Sequence, residues 1–184
     1  MKALNKVILV TSKGLEIVHW LAAGLMAAGL VCSVAARDWL GGVLQKGIEL
    51  GGNTLSTYGF EMSVVDARNT IHMTAVMLFF ISAIMILSLM AMVFRNVFLI
   101  LKTAQGHTPF QNDVVRMLRE IGIFMISIPL IGLVMSGISR LVLGVESIES
   151  SVRFESFVIG ILVLCLTQAF VYGIRLQKDV DGLL

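Results

Sequence analysis

Long apolar runs alternate with short polar connections along the chain. Four stretches contain no Asp, Glu, Lys or Arg: residues 17–36, 69–94, 121–139 and 156–174. A helix needs roughly 20 apolar residues to cross the hydrocarbon core of a bilayer, within a range of about 17–25. Each stretch reaches that length, and the second exceeds it, enough to tilt or to extend past the interface. Backbone groups in lipid find no water, so a spanning segment satisfies them internally as a helix. The pattern predicts an all-α integral membrane protein, a single four-helix domain over residues 1–184 with spans near 17–36, 70–94, 121–140 and 155–174.

Composition supports lipid as the solvent. The 184 residues are 57% hydrophobic and 14% charged, with mean hydropathy +0.92. A soluble domain carries about 25% charged residues, and a small one has a large surface to cover with polar groups. The first apolar run follows Lys2, Lys6 and Lys13 and ends in the small residues Ser33, Ala35 and Ala36, as an export signal does. The segment before it is long for such a signal, so it is read as a retained helix. With the N-terminus inside, nine basic residues fall on the cytoplasmic side (Lys2, Lys6, Lys13, Arg95, Lys102, Arg116, Arg119, Arg175 and Lys178). Five fall outside: Arg37, Lys46, Arg68, Arg140 and Arg153. The positive-inside rule therefore selects N-in and C-in.

Connections carry their own signals. Residues 1–16 read as an amphipathic lead-in, with the apolar run 7–10 suited to lie on the inner membrane face. In the first span, Ala23/Ala27 and Gly24/Ala28 form small-xxx-small pairs, read as an internal helix contact. The outer segment 37–68 is rich in glycine (Gly41, Gly42, Gly47, Gly51, Gly52, Gly59), and its second half alternates with β-favouring residues. It predicts a small hairpin or extended cap, with Leu55, Tyr58, Phe60 and Met62 covering helix ends. Phe94, Val97, Phe98 and Leu101 keep the spacing of one helix face. Gly106 breaks that helix, and Thr108-Pro-Phe-Gln supplies an N-cap, a proline at the first helical position and a glutamine three residues after the cap. Asp113 favours the positive end of the new helix. The result is a cytoplasmic corner of two helices, the second of which enters the membrane, so it reads no nucleic acid directly. Pro129 removes one backbone bond within the third span and predicts a kink.

Candidate chemistry is sparse. His19 and His72 sit near opposite ends of their spans, so they cannot share a haem or a metal, and His107 adds no third ligand. Cys32 and Cys165 form no CxxC pair. The eleven methionines read as apolar filling, and Asp179-Val-Asp-Gly is too close to the end of the chain to supply a calcium loop. Thr74, Ser82, Ser88, Ser127, Ser136, Thr167 and Gln168 lie within spans and read as interhelical hydrogen-bonders, with Gln168 expected to face the bundle interior. No charged residue lies inside the charge-free stretches to mark an ion path. Glu16 and Arg140 sit at span ends, within reach of headgroups. No catalytic, metal or cofactor-binding residue is assigned, and the chain is not read as an enzyme.

The segment Gly106-His-Thr-Pro-Phe-Gln-Asn-Asp-Val-Val-Arg-Met-Leu-Arg-Glu-Ile-Gly resembles the "G-x-P-F … N … L-R-x-I-G" signature of domain-of-unknown-function family 2975, the bacterial YoaS-like proteins. The tail Gly173-Ile-Arg-Leu-Gln-Lys-Asp-Val-Asp-Gly-Leu-Leu is similar to that family's "G-x-x-L-Q-x-D-x-D-G-L" ending, and Tyr58-Gly-Phe-Glu to its outer extended segment. The resemblance covers nearly the whole chain in matching order. It implies four spans in the cytoplasmic (inner) membrane of a bacterium and a gene often placed beside a small helix-turn-helix regulator, but no catalytic residue. It also suggests that residues 106–122 and 173–184 share one cytoplasmic surface. The candidate partner surface is Thr108, Pro109, Phe110, Asn112, Arg116, Arg119, Asp179 and Asp181, with the two arginines expected to meet the two aspartates. The expected function is a binding or regulatory module in the lipid bilayer with a cytoplasmic or membrane protein partner. The alternative is a small homo-oligomeric transporter, channel or lipid-binding protein with a cavity lined by Gln168.

Overall fold

A computed structural model describes residues 2–65, 70–104, 112–144 and 150–181. The element order is α1 (Lys2–Ala35), α2 (Arg37–Gly51), β1 (Thr54–Thr57), β2 (Phe60–Ser63), α3 (Met73–Ala104), α4 (Asn112–Leu143), β3 (Ser150–Val152) and α5 (Glu155–Asp181). Helices α1, α3, α4 and α5 are each long and apolar enough to cross a membrane, which makes this a multi-pass membrane protein by length and composition. Charge placement suits the helix dipoles: Asp113 and Glu155 open α4 and α5, while Lys102 and Arg140 close α3 and α4.

Two expectations change here. The lead-in is not a separate element, because α1 is continuous from Lys2. Within it, Ser12 donates to the Ile8 carbonyl four residues back and Lys13 pairs with Glu16 at 2.9 Å. The first half of the glycine-rich segment is the helix α2 rather than extended chain. Leu40, Leu44 and Ile48 recur every four residues and turn inward, with Leu40 buried. That helical spacing outweighs the cost of the glycines.

By their contacts the described residues form two units. One is drawn from Met1–His19, Leu89–Ser127 and Ser156–Leu184, the other from Trp20–Ser88 and Ile128–Glu155.

The second unit holds a three-stranded antiparallel sheet in the order β1-β2-β3. Strands β1 and β2 form the expected hairpin, with Thr57 opposite Phe60 across a two-residue turn. Both turn residues have positive φ, Tyr58 at 45° and Gly59 at 83°, as tight hairpin turns favour. Partial burial raises the Tyr58 phenol above its ordinary value. Strand β3 comes from the short connection between α4 and α5, and it pairs Val152 with Phe60 and Ser150 with Met62. Arg153 fastens it further, its guanidinium 2.8 Å from Glu61 and its N–H bonded to the Gly59 carbonyl.

Phe60 and Met62 are almost fully buried, as the cap reading requires, whereas Tyr58 remains exposed. Phe60 stacks on Phe79 of α3 with centroids 6.3 Å apart. On α4, Gly132 leaves room for Val152, whose methyl carbons would lie 3.2 Å from an added Cβ.

In the first unit, α4 and α5 approach backbone to backbone. A Cβ on Gly160 would lie 2.7 Å from Ile126 Cγ1, 2.9 Å from the Gly122 carbonyl oxygen and 3.0 Å from the Ile126 nitrogen. One on Gly122 would lie 2.7 Å from the Leu164 side chain and 3.1 Å from the Gly160 carbonyl oxygen. Each glycine is the space the other helix fills, as small residues allow in membrane helix pairs. Gly137 of α4 meets nothing within 4 Å. Gly160→Ala is therefore expected to destabilise the protein by about 1–3 kcal/mol through overpacking, despite alanine's better helix propensity. Gly137→Ala should leave stability unchanged or raise it by up to about 1 kcal/mol. Thermal unfolding of both variants in one detergent checks the opposite signs, and equal behaviour would contradict the crossing.

Candidate functional site

Polar side chains of the first unit gather where α1, α3 and α4 carry their charges. On α1, Ser12, Glu16 and His19 fall four and three residues apart and are all buried. This spacing puts them on one face. The Glu16 carboxylate accepts from Lys13 Nζ, and the same ammonium lies 5.3 Å from the centre of the Phe98 ring on α3. His19 packs against Phe94 of α3 with ring centroids 5.0 Å apart, and its Nδ1 is 2.7 Å from the Leu15 carbonyl oxygen. That bond requires the proton on Nδ1. So His19 is a packed residue of the α1–α3 contact.

The α3–α4 contact has its own polar tie. Asn96 is 5% exposed, and its amide donates to Glu120 Oε2 at 2.9 Å. Arg116 approaches the other Glu120 oxygen at 3.9 Å from one turn earlier on α4. Glu120 thus joins a buried neutral amide to an exposed guanidinium. Asn96 went unremarked in the sequence because it sits in an apolar, helix-periodic segment. The available signal was an amide flanked by Phe94 and Phe98, which cannot be left unpaired when buried.

The surface of this unit is basic. Lys6, Lys13, Arg95, Lys102, Arg116, Arg119 and Arg175 are exposed, while Glu16 is buried. Asn112 opens α4 and is exposed, as are Arg119 and Asp179. The expected pairing with the tail is corrected for Asp179. Among the described residues Arg116 meets Glu120, and neither Arg116 nor Arg119 forms an ion pair with Asp179. A partner four residues along the same helix is always within reach, which favours the local pair. Thr108, Pro109 and Phe110, together with His107, lie outside the described residues, as does the side chain of Asp181.

The span hydroxyls also behave differently from expectation. Ser82, Ser88, Ser127 and Thr167 each donate to a carbonyl three or four residues back on their own helix. Ser136 does reach another element, its hydroxyl 2.6 Å from that of Ser150 in β3. Thr74 is exposed. Gln168 is corrected as well: it is exposed on α5 and lines no interior. The packed face of α5 is set by Gly160 and Thr167, both buried and seven residues apart. Gln168 follows Thr167 and is rotated about 100° away from that face. Of the small-residue pairs in α1, Ala23 is buried as expected, but Gly24 and Ala28 face outward.

Comparison with protein-family models, with curated proteins and with solved structures finds no match. Among the described residues, no three His, Cys, Asp or Glu side chains converge on a point where a metal could sit.

The Asn96–Glu120 bond yields a prediction. Asn96→Ala leaves the acceptor without its buried donor, and a bond to a charged group contributes about 1.5–3 kcal/mol. Glu120 is partly exposed, so the expected loss lies toward the low end, about 1–2 kcal/mol. Glu120→Gln keeps an acceptor oxygen and should lose less. Unfolding midpoints in detergent check this order, and Glu120→Gln costing more than Asn96→Ala would contradict it.

Proposed function

We propose that this chain is a bacterial inner-membrane binding or regulatory module whose first unit faces the cytoplasm and engages a protein partner there. The observation that supports this reading is the exposed basic surface of that unit, built around Arg95, Arg116, Arg119 and Arg175. Of its acidic side chains, Glu16 is buried against Lys13 and Glu120 is held by Asn96, while Asp113 and Asp179 are exposed among a larger number of cations. Cations left outward attract an acidic protein surface, and they favour the cytoplasmic side of a membrane.

The resemblance to family 2975 points the same way, because its signature runs from Gly106 to Gly122, through Asn112, Arg116 and Arg119. In this structure the final glycine of that signature, Gly122, is the seat of the α4–α5 crossing. One motif thus combines a packing residue with the outward arginines of the same helix.

Affinity capture of the full chain in mild detergent should recover a cytoplasmic protein. Charge reversal at Arg116 and Arg119, or deletion of residues 175–184, should abolish that recovery while leaving the unfolding midpoint within a few degrees of wild type. If both variants keep the partner, or if the deletion lowers the midpoint without affecting capture, the proposed surface is a packing element only.

A further inference from the structure

We infer that α5 is the contact between two copies of this chain, held by a hydrogen bond between the two Gln168 side chains. The candidate span over α5 is Glu155–Gln177. Gln168 lies two residues from its middle, or about 3 Å along the axis. A glutamine side chain so placed cannot reach either headgroup layer, about 12 Å away on one side and about 18 Å on the other. Yet Gln168 is exposed, and among the described residues its amide has no hydrogen-bond partner. The hydroxyls of Ser127 and Thr167 turn back onto their own helices. A primary amide has two donors and an acceptor and is too long and too polar to be satisfied that way. An unpaired amide in hydrocarbon is costly, so its partner comes from outside the chain.

A second copy fits for a geometric reason. Copies of one membrane protein share one orientation, so a two-fold axis relating them runs along the membrane normal and brings equal depths together. Gln168 then meets Gln168 of the other copy, and an amide pair is self-complementary. The surrounding surface agrees. Val158, Ile161, Cys165, Gln168 and Tyr172 are all exposed. They recur at alternating spacings of three and four, the seam of a left-handed helix pair in which a single polar position sets the register. Only 11% of the apolar window of α5 is buried within the chain, so the seam is open for a second helix.

Cys165 lies one turn before Gln168 on the same seam and reports on the contact. In the full chain carrying Cys32→Ser, Cys165 is the remaining cysteine. Mild oxidation of this variant in lipid vesicles should give a disulfide-linked dimer. Gln168→Leu should lower its yield, and dimerisation followed by energy transfer in vesicles should weaken roughly 5- to 30-fold, as about 1–2 kcal/mol for one interhelical polar contact implies. Gln168→Asn should retain most of the dimer. Leucine at a lipid-exposed position leaves the fold intact, which the unfolding midpoint verifies. A Cys165 variant that stays monomeric overturns the inference. So does a dimer that persists undiminished in Gln168→Leu, or a disulfide to a different protein in cells with no dimer of the purified chain. Capture of a cytoplasmic partner by the first unit is read out separately and does not depend on this result.

Discussion

Hydrocarbon offers no hydrogen bonds, and nearly every feature of this chain answers that constraint. Its long helices close their own backbone bonds. Their hydroxyls do the same locally: Ser33, Ser82, Ser88, Ser127, Ser139 and Thr167 each donate to a carbonyl within one turn of the same helix. A hydroxyl satisfied this way presents little but methylene and backbone to its surroundings. Groups too polar for that device are moved to helix ends or paired, as Glu16 is with Lys13 and Asn96 with Glu120. Gln168 is exempt from both solutions within one chain, which is why it carries information about what lies beyond the chain.

The same solvent removes the usual reason for helices to associate, since lipid tails are as apolar as leucine. Association then depends on close fit. The reciprocal approach of Gly122 and Gly160 supplies that fit between α4 and α5. In the sheet-bearing unit, Gly29 plays a related part, with the Phe80 ring edge 3.0 Å from where its Cβ would be. Phe60 and Met62 of the sheet are buried as a soluble core would be. Aromatic stacking of Phe60 on Phe79 and the Ser136–Ser150 bond hold that sheet to helices α3 and α4.

Much of this was legible in the residues. The four long helices follow from where charge is missing, and the Tyr58-Gly59 hairpin from β-favouring residues around a glycine. Helix α2 was hidden because glycines mask the spacing of Leu40, Leu44 and Ile48. Most of the span hydroxyls turn to their own helices rather than across to another for a physical reason: an i−4 carbonyl is always within reach of a serine, whereas a neighbouring helix is a matter of packing. The rule that polar groups avoid lipid predicts that Gln168 faces inward. The helical phase set by Gly160 and Thr167 overrides it. Of the candidate partner surface, Asn112, Arg116, Arg119 and Asp179 are exposed as a surface requires. The Arg–Asp link across it was an inference from charge alone, and local geometry on α4 gave Arg116 another partner.

The proposed topology has the four apolar helices crossing a bilayer with both chain ends on the cytoplasmic side. Single cysteines in a Cys32→Ser, Cys165→Ser background, labelled by a membrane-impermeant maleimide on intact cells, test this directly. A cysteine at Ser56 in β1 should react from outside, and cysteines at Lys6 and Asp179 should react only after the membrane is opened. Labelling of all three positions from the same side would contradict the account.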